Sequence, residues 1–211
     1  MMTVRPAAVA GMFYPANAAE LRHDIDDYLN HAEISPHSPK AIIVPHAGYM
    51  YSGPIAASAY INLRPLHSQI KKVVLLGPAH RVPFRGLAAT SANFFMTPLG
   101  KIKIDRAAIE QIRHLPQVIT LDDAHEQEHS LEVQLPFLQV LLDDFELIPL
   151  VVGDANKKEV AEVLNALWGG QETLIVISSD LSHYNNYNVA QQMDRATSVA
   201  IEKLQPEHIH Y

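Results

Sequence analysis

The chain has 211 residues, 48% of them hydrophobic, a formal net charge of −7 and no cysteine. That is enough chain for one domain with a real core, and it holds no disulfide or thiolate ligand. An acidic balance without a Lys/Arg cluster argues against a nucleic-acid footprint, and no apolar run approaches the roughly 20 residues of a membrane span.

The start, Met1-Met2-Thr3-Val4-Arg5-Pro6, lacks the apolar core and cleavage site of a signal peptide, so a cytoplasmic location is expected. Residues 9–15 form an irregular apolar segment expected to pack on the core. Asn17 can cap a helix over 18–31, with Leu21, Ile25, Tyr28 and Leu29 on its apolar face. Ala41 to Val44 is a β-branched apolar run, which predicts a buried strand. Pro45 cannot donate to a ladder and should end it. His46 then falls just past the carboxyl end of the strand, where open α/β sheets bind ligands. Gly48 and Gly53 are expected to supply unusual backbone angles for a tight loop, and Pro54 to open a helix over 54–63.

The pattern recurs at 73–76, an apolar strand followed by Gly77-Pro78-Ala79-His80. Further short strands are predicted over 86–90 and 101–104, with a turn at 97–100, and Asp105 caps a helix to His114. The acidic stretch 122–132 runs into a helical face of Leu131, Leu135, Leu138 and Leu142, which Pro136 should kink or shorten. A strand over 145–152, a helix over 157–168 and an apolar strand over 173–178 follow. That strand leads into Ser179-Asp180-Leu181-Ser182-His183-Tyr184, and a helix over 189–205 closes the sequence. Strands alternating with helices predict an α/β fold with a mostly parallel central sheet flanked by helices.

His46, His80 and His183 thus each follow a predicted strand, and His129 opens a helix in the acidic stretch. Neutral imidazole is the commonest metal ligand and a general base near neutral pH. One such histidine alone reads as a loop residue bonded to backbone. Three at equivalent positions favour a shared pocket with a metal ion. The other histidines singled out, His23, His31, His37, His67, His114, His208 and His210, read as surface residues. Asp180 reads either as the carboxylate of a two-His-one-carboxylate iron site or as a residue that orients a histidine. Glu132, three residues after His129, can share its helical face. A solvated acidic helix start accounts for Glu126 and Glu128. Tyr49 is expected to line the pocket and Tyr51 to pack. There is no Walker loop and no dinucleotide fingerprint. Ser178 and Ser179 lack the G-x-S-x-G turn of a hydrolase nucleophile.

Five motifs in order carry a resemblance: Arg5 to Pro15 (RPAAVAGMFYP), Pro45-His46-Ala47-Gly48-Tyr49, Gly77-Pro78-Ala79-His80, Glu128-His129-Ser130-Leu131-Glu132, and Ser178 to His183 (SSDLSH). Together they resemble the Memo family, in prokaryotes the AmmeMemoRadiSam system protein B. The resemblance implies a fold similar to class III extradiol dioxygenases, which use non-haem iron. It implies that His46 and His80 are metal ligands, with His183 and His129 as the catalytic or acid–base histidines. Tyr49, Asp180 and Glu132 then belong to the pocket. The cofactor implied is a divalent metal ion, iron first, with copper or zinc as alternatives. The family completes its metal site with a C-terminal cysteine. This sequence has none, so it is expected to be a single Memo-like domain over 1–211 that stops short of that ligand, with an open sheet edge beside the pocket.

Two functional classes follow. One is a metal-dependent oxidoreductase, dioxygenase-like, acting on a small-molecule substrate. The other is a binding or adaptor protein that uses the same pocket for a peptide or small ligand. The expected partners are that substrate or peptide and, by the resemblance, the radical SAM protein of the AmmeMemoRadiSam system, with neither nucleic acid nor membrane.

Overall fold

A computed structural model describes residues 2–209. The chain divides into two units after Ser179. The first unit holds a nine-stranded sheet. Its strands are β1 (Val4–Arg5), β2 (Ala41–Val44), β3 (Lys72–Pro78), β4 (Leu87–Ala89), β5 (Phe94–Thr97), β6 (Gly100–Ile104), β7 (Val118–Thr120), β8 (Glu146–Val152) and β9 (Thr173–Ser178). The order is β1-β5-β6-β8-β3-β9-β2, with β4 against the end of β8 and β7 beside β4. Among the described residues only β5–β6 and β4–β8 pair antiparallel.

The interiors of β3, β8 and β9 are almost wholly buried, so they read as unbroken Val/Leu/Ile runs rather than as alternating ones. The helices of this unit are α1 (Ala18–Asn30), α2 (Tyr49–Tyr60), α3 (Arg106–Ile112), α4 (Asp123–Glu126), α5 (Leu135–Leu141) and α6 (Lys157–Leu167). Helices α1, α2 and α5 pack together, and α3 packs on α6. The predicted α/β class and mostly parallel sheet are therefore present. The predicted caps form as well: Asn17 accepts from Ala19 and Glu20, and Asp105 from Ala108. In the second unit, helix α7 (Tyr187–Glu202) is capped by Asn186, two residues earlier than expected. Among the described residues no helix is long and apolar enough to cross a membrane.

Several local expectations are corrected. Helix α2 starts at Tyr49, so Pro54 lies inside it rather than at its start. Gly48 has φ −59°, and Gly53 sits in the helix, so neither supplies an unusual angle. Gly53 is there for space: a Cβ would come within 2.5 Å of the Tyr28 ring. Pro136 falls in the first turn of α5, where a missing N–H costs nothing, and the helix begins at Leu135 rather than Leu131, which is the shortened start expected as one of two outcomes. Strand β2 pairs with β9 alone among the described residues, and Ile43 on it is 47% exposed.

Candidate metal centre

Strand order sets the site. Strand β9 lies between β2 and β3, with Val44 in register with Ser178 and Leu76 with Ile177. His46, two residues past β2, and His80, two residues past β3, therefore emerge at one end of two parallel strands that flank β9. His129 joins them from the segment between α4 and the turn Glu132–Gln134. The ring centroids are 5.2 Å apart for His46–His80, 5.7 Å for His46–His129 and 4.5 Å for His80–His129, the last pair stacked. One ligand atom from each lies within 4.8 Å of the others. Ligand atoms about 2.1 Å from one ion are at most about 4.2 Å apart, so a small inward shift closes the set. His46 is buried, His129 is partly buried and His80 is exposed, which grades the site from core to solvent.

Hydrogen bonds fix two of the tautomers. Ser178 Oγ donates its one proton to the Ser130 carbonyl at 2.6 Å and accepts from Gln134 Nε2 at 2.8 Å. His46 Nδ1, 3.0 Å from the same oxygen, must then be the donor. That leaves the lone pair of His46 on Nε2. Gln134 is itself held by the Pro45 carbonyl at 2.8 Å and by the Tyr60 hydroxyl at 2.9 Å. Glu128 does the same for His80. Its carboxylate accepts from His80 N at 2.6 Å and His80 Nδ1 at 2.8 Å. It also accepts from the backbone N–H groups of His129 and Ser130, each at 2.9 Å. Burial alone would raise the Glu128 pKa, but the bonds from His80, Ser130 and the His80 backbone outweigh it and hold the carboxyl below its usual range. A histidine that donates Nδ1–H to a carboxylate presents a more basic Nε2, the arrangement usual behind a metal-bound imidazole.

Glu128 is 2% exposed, so the expectation of a solvated acidic helix start is overturned for it. Four donors converging on one carboxylate make its burial tolerable. Glu132 is 1% exposed and is committed to the N-terminal segment. It pairs with Arg5 and accepts from Ala8 N at 2.8 Å, Val9 N at 3.0 Å and Tyr14 Oη at 2.5 Å. Burial, the Glu132 charge and that hydrogen bond push the Tyr14 hydroxyl far above its ordinary range. Tyr49 lies in the core with its hydroxyl donated to Val133 O at 2.7 Å. With Phe13 and Tyr28 it lines a cavity of about 410 Å³. Tyr51, expected to pack, is 74% exposed. In the second unit, Asp180 Oδ2 lies 3.8 Å from His183 Nε2.

The positions of Phe13, Ser178 and Gln134 around the histidines escaped the sequence reasoning. Phe13 sits 4.6 Å from the His129 ring, held there by its carbonyl accepting from Tyr49 N at 2.8 Å. Ser178 and Gln134 did carry a signal. Gln134 is a polar residue inside an apolar run and Ser178 ends one, and a buried polar group requires a partner.

The Memo-like protein family model matches residues 5–210. The chain belongs to the Memo family. A MEMO1 family protein of Ignicoccus hospitalis is 38% identical over 98% of this chain and 78% of its own length. One from Aquifex aeolicus is 38% identical over 100% of this chain and 79% of its own length. One from Aeropyrum pernix is 37% identical over 99% and 80%. The large, mostly parallel sheet agrees with the extradiol dioxygenase-like fold of the family.

Proposed function

We propose that this Memo-family chain is a metal-dependent oxidoreductase, dioxygenase-like, that acts on a small molecule at the strand-end histidines. His46 and His80 are the primary holders of a divalent ion, iron first, and His129 completes a three-imidazole set. The observation that carries the proposal is the tautomer lock: Ser178 and Glu128 accept from Nδ1 of His46 and His80, which puts the lone pair of each ring on Nε2. A bound iron would supply Lewis acidity and a coordination position for oxygen or substrate. The chain's own part is to orient two imidazoles through their Nδ1 atoms, and to shield one side of His129 with Phe13. By the resemblance, His183 supplies the acid–base function and Asp180 its orienting carboxylate.

Elemental analysis of the purified protein followed by an oxygen-uptake screen tests the proposal. A bound iron with substrate-dependent oxygen uptake is expected. His183→Ala should keep the ion and lose turnover. A protein that keeps its ion but consumes no oxygen with any substrate class would instead favour the binding-protein class.

A further inference from the structure

The cavity of about 410 Å³ beside Tyr49 is lined by five aromatic residues, Phe13, Tyr14, Tyr28, Tyr49 and Tyr51, and by none of the three clustered histidines. Its size falls within the range of small-molecule sites. The wall is built in advance. The Phe13 carbonyl accepts from Tyr49 N at 2.8 Å, and Gly11 N donates to the Tyr14 carbonyl at 2.7 Å. Gly11 closes that tight loop at φ +82°, a region open to glycine. The Tyr49 ring lies 5.6 Å from that of Tyr14 and 6.5 Å from that of Tyr28.

The outer rim is apolar and faces solvent. Met12, Met50 and Tyr51 line the same cavity and are 72%, 77% and 74% exposed. Exposed apolar side chains gathered at one place mark a surface that takes a ligand or partner.

Polar groups decide which ligand. Asp24 is the one charged residue lining the cavity among the described residues, and neither lysine nor arginine joins it there. Among the described residues its carboxylate has no hydrogen bond or ion pair. It lies near Tyr28: burial first, and then the charges of Asp24 and Asp27, raise the pKa of the Tyr28 hydroxyl. The other two inner hydroxyls are committed, Tyr14 Oη to Glu132 at 2.5 Å and Tyr49 Oη to Val133 O at 2.7 Å. An anion would meet an uncompensated carboxylate. A primary ammonium carries three donors and would find few acceptors among these aromatic and thioether side chains. An ammonium with methyl groups in place of its hydrogens needs no acceptor, and tyrosine ring faces attract it. Methionine thioethers are polarizable and adapt to such a group.

We propose that this cavity binds a small quaternary ammonium compound, with its methyl groups against the tyrosine rings and its charge balanced by Asp24. Phe13 borders both this cavity and His129, but the proposal does not rest on the reaction assigned to the histidine cluster.

The experiment is an NMR titration of the full chain, with labelled methionine methyl groups, using choline. Neohexyl alcohol, its uncharged carbon analogue, and p-cresol, a neutral aromatic, serve as the comparison probes. Saturable choline binding with a Kd of about 1 mM or weaker is expected for so few heavy atoms. It should shift the Met12 and Met50 methyl signals and leave the other methionines in place. Neohexyl alcohol and p-cresol should bind less well. Asp24→Asn should weaken choline about threefold by removing a partly exposed charge. Tyr51→Leu should weaken it by about the same factor by removing one ring. Tyr51 is exposed and Asp24 partly so, and each variant tests the proposal without the other. Absence of saturable binding would overturn the proposal, as would shifts confined to other methionines. Equal binding of neohexyl alcohol or p-cresol would make this an apolar-ligand site and overturn it too, as would choline affinity unchanged in both variants.

Discussion

Glu128 controls how His80 is presented, because one buried carboxylate gathers both His80 donors and the next two backbone N–H groups. Glu128→Gln keeps the shape and loses the charge. It should weaken metal binding about 10–100-fold, read by competition with a chelator, and an unchanged affinity would remove Glu128 from the site. His125 gives a separate, pH-dependent prediction. Its pKa falls from 6.5 in the ordinary state to about 4 in the fold. Between those values the unfolded chain binds more protons than the folded one, so this contribution is complete above pH 6.5 and is lost as pH falls towards 4. The shift corresponds to about 3 kcal/mol. Denaturant melts across that window should show a shallower loss of stability in His125→Gln than in the parent. Parallel curves would mean that His125 titrates normally.

Strands β2, β9 and β3 bring the histidines together only because the loop carrying Glu128 and His129 can approach the end of β3. Gly77 permits that approach. A Cβ there would lie 2.8 Å from Ser130 Oγ and 2.9 Å from Leu131 Cδ2. Gly77→Ala should cost about 1–3 kcal/mol through overpacking and should weaken metal binding by displacing the Glu128 loop. A thermal melt and a metal titration of the same variant check both parts. The N-terminal segment is held from the other side by Arg5, whose side chain reaches Glu132 and the carbonyls of His125 and Glu128. Arg5→Met leaves the Glu132 charge buried without its cation, which should cost about 3–5 kcal/mol. A denaturant midpoint close to that of the parent would show that Ala8, Val9 and Tyr14 suffice to hold Glu132.

Much of the molecule was legible from its residues because β2, β3 and β8 are apolar runs that end at Pro or Gly, because β9 is an apolar run that ends at Ser179-Asp180, and because His46 and His80 sit at the same place after two of them. Strands β1, β5 and β7 were not legible. They are two to four residues long, and their pairing depends on partners distant in the chain or on a neighbouring hairpin. The start of α2 was missed because the packing of Tyr49 and Ser52 overrides the start that Pro54 suggests. His129 could be placed in the pocket by resemblance, but its stacking on His80 emerges only when the 128–131 loop folds over β3. Glu128 looked solvated because its neighbour Glu126 is, and local sequence does not reveal four converging donors. Elemental analysis with chelator competition, on the parent and on His46→Ala, His80→Ala and His129→Ala, tests the histidine centre most directly. About one divalent ion per chain in the parent, lost or greatly weakened in each variant, is the result expected of a three-imidazole site. Retention of the ion at parental affinity in His46→Ala or His80→Ala would contradict it.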